Sequence, residues 1–175
     1  MPHLEGLLIS FKSPIPACHV ERQPLHTLIK PHVTLPHLST LYFCGISAYL
    51  EQLLAQINSP LLERLNIRLF NQLHLTIPHL LQFINRKEKF RFTFFWLVFH
   101  QGVVSLVADC WEGGLAKPFC VAIDCRHIDW QVSAAAQIFN ALAPILSTTE
   151  GLALRYQHSL LTEWHDEIHR TQWLL

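Results

Sequence analysis

Charge is scarce in this chain: 13 Lys and Arg face 13 Asp and Glu, 15% of 175 residues, with a formal net charge of zero. A nucleic-acid footprint spread over the whole surface needs a basic excess, so that class of partner is not expected. No run of about 18 uncharged apolar residues occurs, which removes a helical membrane span from the expectations. The opening MPHLEGLLISFK has neither the basic head nor the long apolar stretch of a signal peptide. The five cysteines are odd in number and contain no CxxC. They read as reduced thiols of an intracellular protein, cytoplasmic or nuclear, and no disulfide is expected. Glycine-rich phosphate loops, GxGxxG and GxSxG are all missing, and no cofactor is expected.

What the chain has is apolar bulk and an internal echo. Half of the residues are apolar, enough for a sizeable core in one domain. Pro36, Leu38, Leu41 and Phe43 open a phrase P-x-L-x-x-L-x-F, and Pro60, Leu62, Leu65 and Ile67 repeat it 24 residues later as P-x-L-x-x-L-x-I. Each phrase reads as a short strand followed by an amphipathic helix. Ile46, Leu50, Leu53, Leu54 and Ile57 share one helical face, and Ile77, Leu80, Leu81 and Ile84 share the other. A repeated strand and helix is the signature of a solenoid.

The leucine-rich-repeat template, apolar at positions 1, 4 and 6, extends the echo. Leu4, Leu7 and Ile9 fit fully; Phe90 with Phe92, Val121 with Ile123, and Leu152 with Leu154 fit positions 4 and 6. Rungs at 7, 41, 65, 90, 121 and 152 are irregular, as in repeats with variable insertions. The asparagine wanted at position 9 is replaced by Ile46 and Phe70, so no side-chain ladder is expected. The predicted fold is therefore α/β: an irregular leucine-rich-repeat-like solenoid over 1–175. Its parallel strands lie on one face, and helices 46–57, 77–86 and 129–143 with one hairpin lie on the other. Few charges and an apolar flank fit a piece of a longer array, since complete arrays end in polar caps.

Local signals refine this outline. Leu4 to Phe11 is a strand, and Ser13 to Pro36 is an irregular, proline-rich loop. Ser47 is a plausible N-cap, Asn58-Ser59-Pro60 ends the first helix, and Pro78 suits the first turn of the second. Between Phe90 and Asp109 the alternating pattern on both sides of His100-Gln101-Gly102 predicts a hairpin. Trp111 to Lys117, with Gly113-Gly114, reads as a loop. Asp129 caps a third helix whose apolar face is Val132, Ala135, Ala136, Phe139 and Ala143, and Thr162 caps a last one over 163–173.

These segments carry a family resemblance. SAYLEQLLAQINSPLLERLNIRLFNQL (Ser47 to Leu73) with IPHLLQFINR (Ile77 to Arg86) resembles the repeat region of fungal F-box proteins. DCRHIDWQVSAAAQIF (Asp124 to Phe139) and EWHDEIHRTQWL (Glu163 to Leu174) agree in order and spacing. The resemblance implies a protein–protein recognition region that presents a partner to a cullin-RING ubiquitin ligase. It implies a Skp-type adaptor only through an F-box, and the F-box pattern LP-x-E-I-L with V-C-x-x-W is not in this chain. A scaffold or decayed fragment without a ligase link is the alternative expectation.

Catalytic patterns are weak. His165 and His169 with Asp166 resemble H-E-x-x-H only superficially, because the glutamate is replaced and no third ligand follows. Cys120, Cys125 and His127 are spaced as strand residues rather than as a nucleophile and its base. Catalysis and a metal are not expected. Binding is: between the apolar rungs, residues point to the other strand face. Those are Tyr42, then Arg64, Asn66 and Arg68, then Lys89 and Arg91, then Asp124, then Arg155. Cations on neighbouring rungs would form a basic stripe for an unknown partner, acidic or phosphorylated. The bland counterpart is an ordinary solvated strand face.

Overall fold

A computed structural model describes residues 3–11, 32–70, 75–87, 90–109, 118–125 and 127–156. Most of the loop 13–36, the loop 111–117 and the helix 163–173 expected from sequence lie outside the described residues. The elements run β1 (Gly6–Ser10), β2 (Val33–Thr34), β3 (Thr40–Gly45), α1 (Ser47–Leu54), β4 (Ile57–Asn58) and β5 (Arg64–Leu69). Then follow α2 (Pro78–Asn85), β6 (Phe94–His100), β7 (Val103–Asp109), β8 (Phe119–Asp124), α3 (Ile128–Leu146) and β9 (Gly151–Tyr156).

The 24-residue echo is built literally. Thr40 pairs with Arg64 and each following residue with its counterpart through Gly45 and Leu69, in parallel. Val33 and Thr34 pair with Ile57 and Asn58 at the same offset in a second, two-stranded sheet. The turns copy too: Leu38 N donates to Leu35 O at 3.3 Å, and Leu62 N to Ser59 O at 3.2 Å. The shared apolar pattern at 1, 4 and 6 therefore fixes register, because a one-residue slip would turn Leu41 or Leu65 out of the core.

The main sheet has seven strands in the order β1-β3-β5-β8-β7-β6-β9. All pairings are parallel except the two made by β7. The inward residues Leu41, Phe43, Leu65, Ile67, Leu69, Phe95, Leu97, Phe119 and Val121 share one core with Leu50 and Leu54 of α1, Leu80, Phe83 and Ile84 of α2, and Ile138 and Leu142 of α3. All three helices thus lie on one face. Each fully buried Leu or Phe there contributes roughly 1.5–3 kcal/mol by removal from water.

The mostly parallel α/β sheet agrees with the expectation, and its details depart from it. The hairpin turns at Gln101 and Gly102, whose φ of +79° suits glycine. It belongs to the sheet, rather than lying with the helices, and it reverses the strand order. β8 docks on β5, and β6 is two strands further on, so the rung at 90 does not follow the rung at 65. Phe90 and Phe92 are not in a strand. They are buried plugs, and the Phe92 ring stacks on Phe119 at 5.2 Å and meets Phe95 edge-on at 5.3 Å. Aromatic packing there outweighs backbone pairing.

In β8 it is Phe119, not Val121, that stands beside Leu65. The helices also begin and face differently. Ile46 holds the extended N-cap geometry of α1, which leaves Ser47 inside the first turn. α3 is longer than 129–143 and buries Gln131, Ala134, Ala135, Ile138, Leu142 and Ile145, whereas Val132 is 67% exposed. Its apolar face was read one position out of phase because alanines outnumber larger apolar residues in the middle of the helix. Leu152 and Leu154 pair with the buried Phe95 and Leu97, yet on the edge strand β9 they are 49% and 71% exposed.

Candidate functional site

The strand register lines up side chains on the face away from the helices. One row crosses the sheet as Leu8, Tyr42, Asn66, Cys120, Val107, Trp96 and Ala153. The next runs Ser10, Cys44, Arg68, Ala122, Ser105, Val98 and Arg155. Val98, Val107 and Cys120 form a second apolar cluster, separate from the main core, with Trp96 packed against it. Asn66 is buried between Tyr42 and Cys120.

Tyr42, Arg64, Asn66, Arg68 and Arg155 all fall on this face, as their strand positions predict. Arg64 and Arg155 are exposed. Arg64 and Arg68 leave the same strand about 13 Å apart, and Arg68 and Arg155 are about 19 Å apart across four strand spacings. The stripe of three neighbouring guanidiniums is not formed. Arg91 is exposed between the buried Phe90 and Phe92, ahead of β6, and β8 and β7 separate that strand from β5. Lys89 lies outside the described residues.

Arg68 is not a free cation. Its Nε donates to Asp124 Oδ1 at 2.8 Å, with side chains 41% and 31% exposed, and this is the one ion pair among the described residues. The pair is half in water, so it contributes little to stability and acts mainly to tie the guanidinium to the end of β8. Beside it the Cys44 thiol is pushed up, chiefly by burial, with Arg68 opposing and Asp124 adding to the rise.

Burial works against a thiolate at Cys125. Cys125 is 2% exposed, its Sγ lies 3.5 Å from Ile123 O, and burial, with Asp124 nearby, pushes its thiol up to about 11. Cys120 is buried in β8, and the His127 ring packs edge-on against Trp130 at 5.1 Å. A nucleophile needs the opposite environment. His165 and His169 lie outside the described residues, and among the described residues no three His, Cys, Asp or Glu side chains gather as a metal site.

Sequence reasoning missed this second buried apolar cluster, although its signal was present. Phe94-Phe95-Trp96-Leu97-Val98-Phe99 is apolar at both parities, and Val103-Val104-Ser105-Leu106-Val107-Ala108 nearly so. A strand with one solvated face alternates, and these two do not. Comparison of the chain with protein-family models, with curated proteins and with solved structures returns no match in any of the three.

Proposed function

We propose that this protein is a non-catalytic recognition module, a leucine-rich-repeat-like array resembling the partner-presenting region of F-box ubiquitin-ligase receptors. Its binding surface is the sheet face away from the helices, and its partner is an acidic or phosphorylated segment of another protein. The observation that carries this reading is the pair of exposed cations on that face, Arg64 on β5 and Arg155 on β9, which stand on either side of the apolar cluster of Val98, Val107 and Cys120, itself buried. Arginine adds a planar fork that matches carboxylate and phosphate. The stacked 24-residue units support the array reading, since each unit buries its flank on the next. A Skp-type adaptor would engage only through an F-box encoded upstream of this segment.

The test is an array of acidic and phosphorylated peptides probed with the wild-type chain and with a variant carrying Arg64→Glu and Arg155→Glu. Peptides retained by the wild type and lost by the variant support the reading. A binding profile unchanged by the charge reversal rejects it.

A further inference from the structure

A cleft of about 910 Å³ opens on the helix side, between the end of α1, β4 and α2. It exists because the 24-residue echo stops here. The positions 24 residues after Ile57 and Asn58 are Leu81 and Gln82, which belong to α2, so no third short strand follows β2 and β4. The place is lined by the apolar side chains of Leu54, Ile57 and Phe83. His32, His79, Arg86 and Lys87 line it too, and among the described residues no acidic side chain does.

The two strongest cations there lack a carboxylate among the described residues. Lys87 Nζ donates to Ser59 O and lies 5.3 Å from the centre of the Phe83 ring. Its ammonium therefore stands where apolar floor and polar rim meet. The Ser59 hydroxyl, fully buried beside the lining residues Asn58 and Pro60, has no hydrogen-bond partner among the described residues. His79, Gln82 and Arg86 recur at helical spacing along α2 and give it one exposed polar face. The Glu51 carboxylate is engaged by the backbone N–H groups of His79 and Leu80 and does not line the cleft.

We infer that this cleft binds a free organic anion with an apolar body, its phosphate or carboxylate held by Arg86 and Lys87 and its body against Phe83, Leu54 and Ile57. The volume suits a ligand of metabolite size. An ammonium half-withdrawn from water onto an aromatic ring attracts an anion more strongly than a fully solvated one. Both features are independent of the sheet face assigned above to a protein partner.

The experiment is calorimetric titration of the full chain with 1-naphthyl phosphate, 1-naphthoate and decyl phosphate, with 1-naphthol and inorganic phosphate as half-ligands. At least one of the three organic anions should saturate at one site and bind about tenfold or more tighter than either half-ligand. Arg86→Gln should weaken that binding by about tenfold without shifting the melting temperature, because Arg86 is exposed. Arg155→Gln, on the other face, should leave it unchanged. Saturable binding by none of the three, equal binding of 1-naphthol, or undiminished affinity in Arg86→Gln would each overturn the assignment. Should Arg86→Gln fold poorly, Lys87→Gln, at the other cation assigned to the anion, supplies the same comparison.

Discussion

Leu41 and Leu65 stand side by side on adjacent parallel strands, both fully buried, and the same 24-residue step sets Val33 beside Ile57 in the second sheet. One sequence interval thus sets register in two sheets at once. A slip in either would have to break both, which makes this pair of units the best-specified part of the chain.

Truncation should reveal that specification. Leu65→Ala removes a fully buried side chain between Leu41 and Phe119 and should cost roughly 2–5 kcal/mol. Leu154→Ala removes one that is 71% exposed and should cost well under half as much. Urea unfolding of both variants checks the order, and equal losses would mean that the core does not centre on β5.

Glu51 of α1 caps the next helix. His79 N and Leu80 N donate to its carboxylate at 2.6 and 3.0 Å, taking up two of the free N–H groups at the start of α2. Glu51→Ala should cost about 1–3 kcal/mol by leaving the buried Leu80 N–H without an acceptor. Burial raises the carboxyl above its ordinary value despite the two N–H groups. A raised folded-state value means that the native protein holds this proton more tightly than the unfolded chain. The resulting contribution is full below 4.5 and is lost as pH rises through the folded-state value. Glu51→Gln cannot ionise, so the stability of wild type relative to this variant should fall from pH 4 to pH 7. A constant difference would refute the shift.

The legible parts were those where one local signal acted alone. The 24-residue phrase gave β3, β5, α1 and α2, and Gln101-Gly102 marked the hairpin. Strand order was hidden because β8 contacts β5 across the whole intervening sequence 70–118, and nothing in either strand names its neighbour. The same gap dissolved the three-arginine stripe, since Arg91 was assigned to a strand that Phe90 and Phe92 leave in order to fill the core. Tyr42, Arg64, Asn66 and Arg68 were placed on their face by strand alternation alone. The anion cleft depends on where a repeat fails, which periodicity does not register.

Arg68 and Asp124 offer a direct measure of that half-exposed surface. A double-mutant cycle with Arg68→Ala and Asp124→Ala should return a coupling of about 0.2–1 kcal/mol, falling as salt is raised. A coupling well above that range would mean that the pair is far drier than its exposure indicates, and would shift the binding role from Arg64 and Arg155 to this pair.

Cys125 provides the last test, on the alkaline side. Its thiol is pushed from 9.0 up to about 11 by burial, next by Asp124, with the Val104 backbone opposing. The folded protein therefore keeps the proton that the unfolded chain releases. Its contribution to stability is complete below pH 9 and is lost as pH climbs to about 11. Melting temperatures of wild type should accordingly fall more steeply between pH 9 and pH 11 than those of Cys125→Ala, which has no thiol to ionise. The same burial should protect Cys125 from thiol reagents at pH 8 until the chain unfolds. Parallel melting curves for the two proteins over that range, together with rapid labelling of Cys125 in the native state, would show an ionisable and accessible thiol and would reopen the nucleophile that its surroundings argue against.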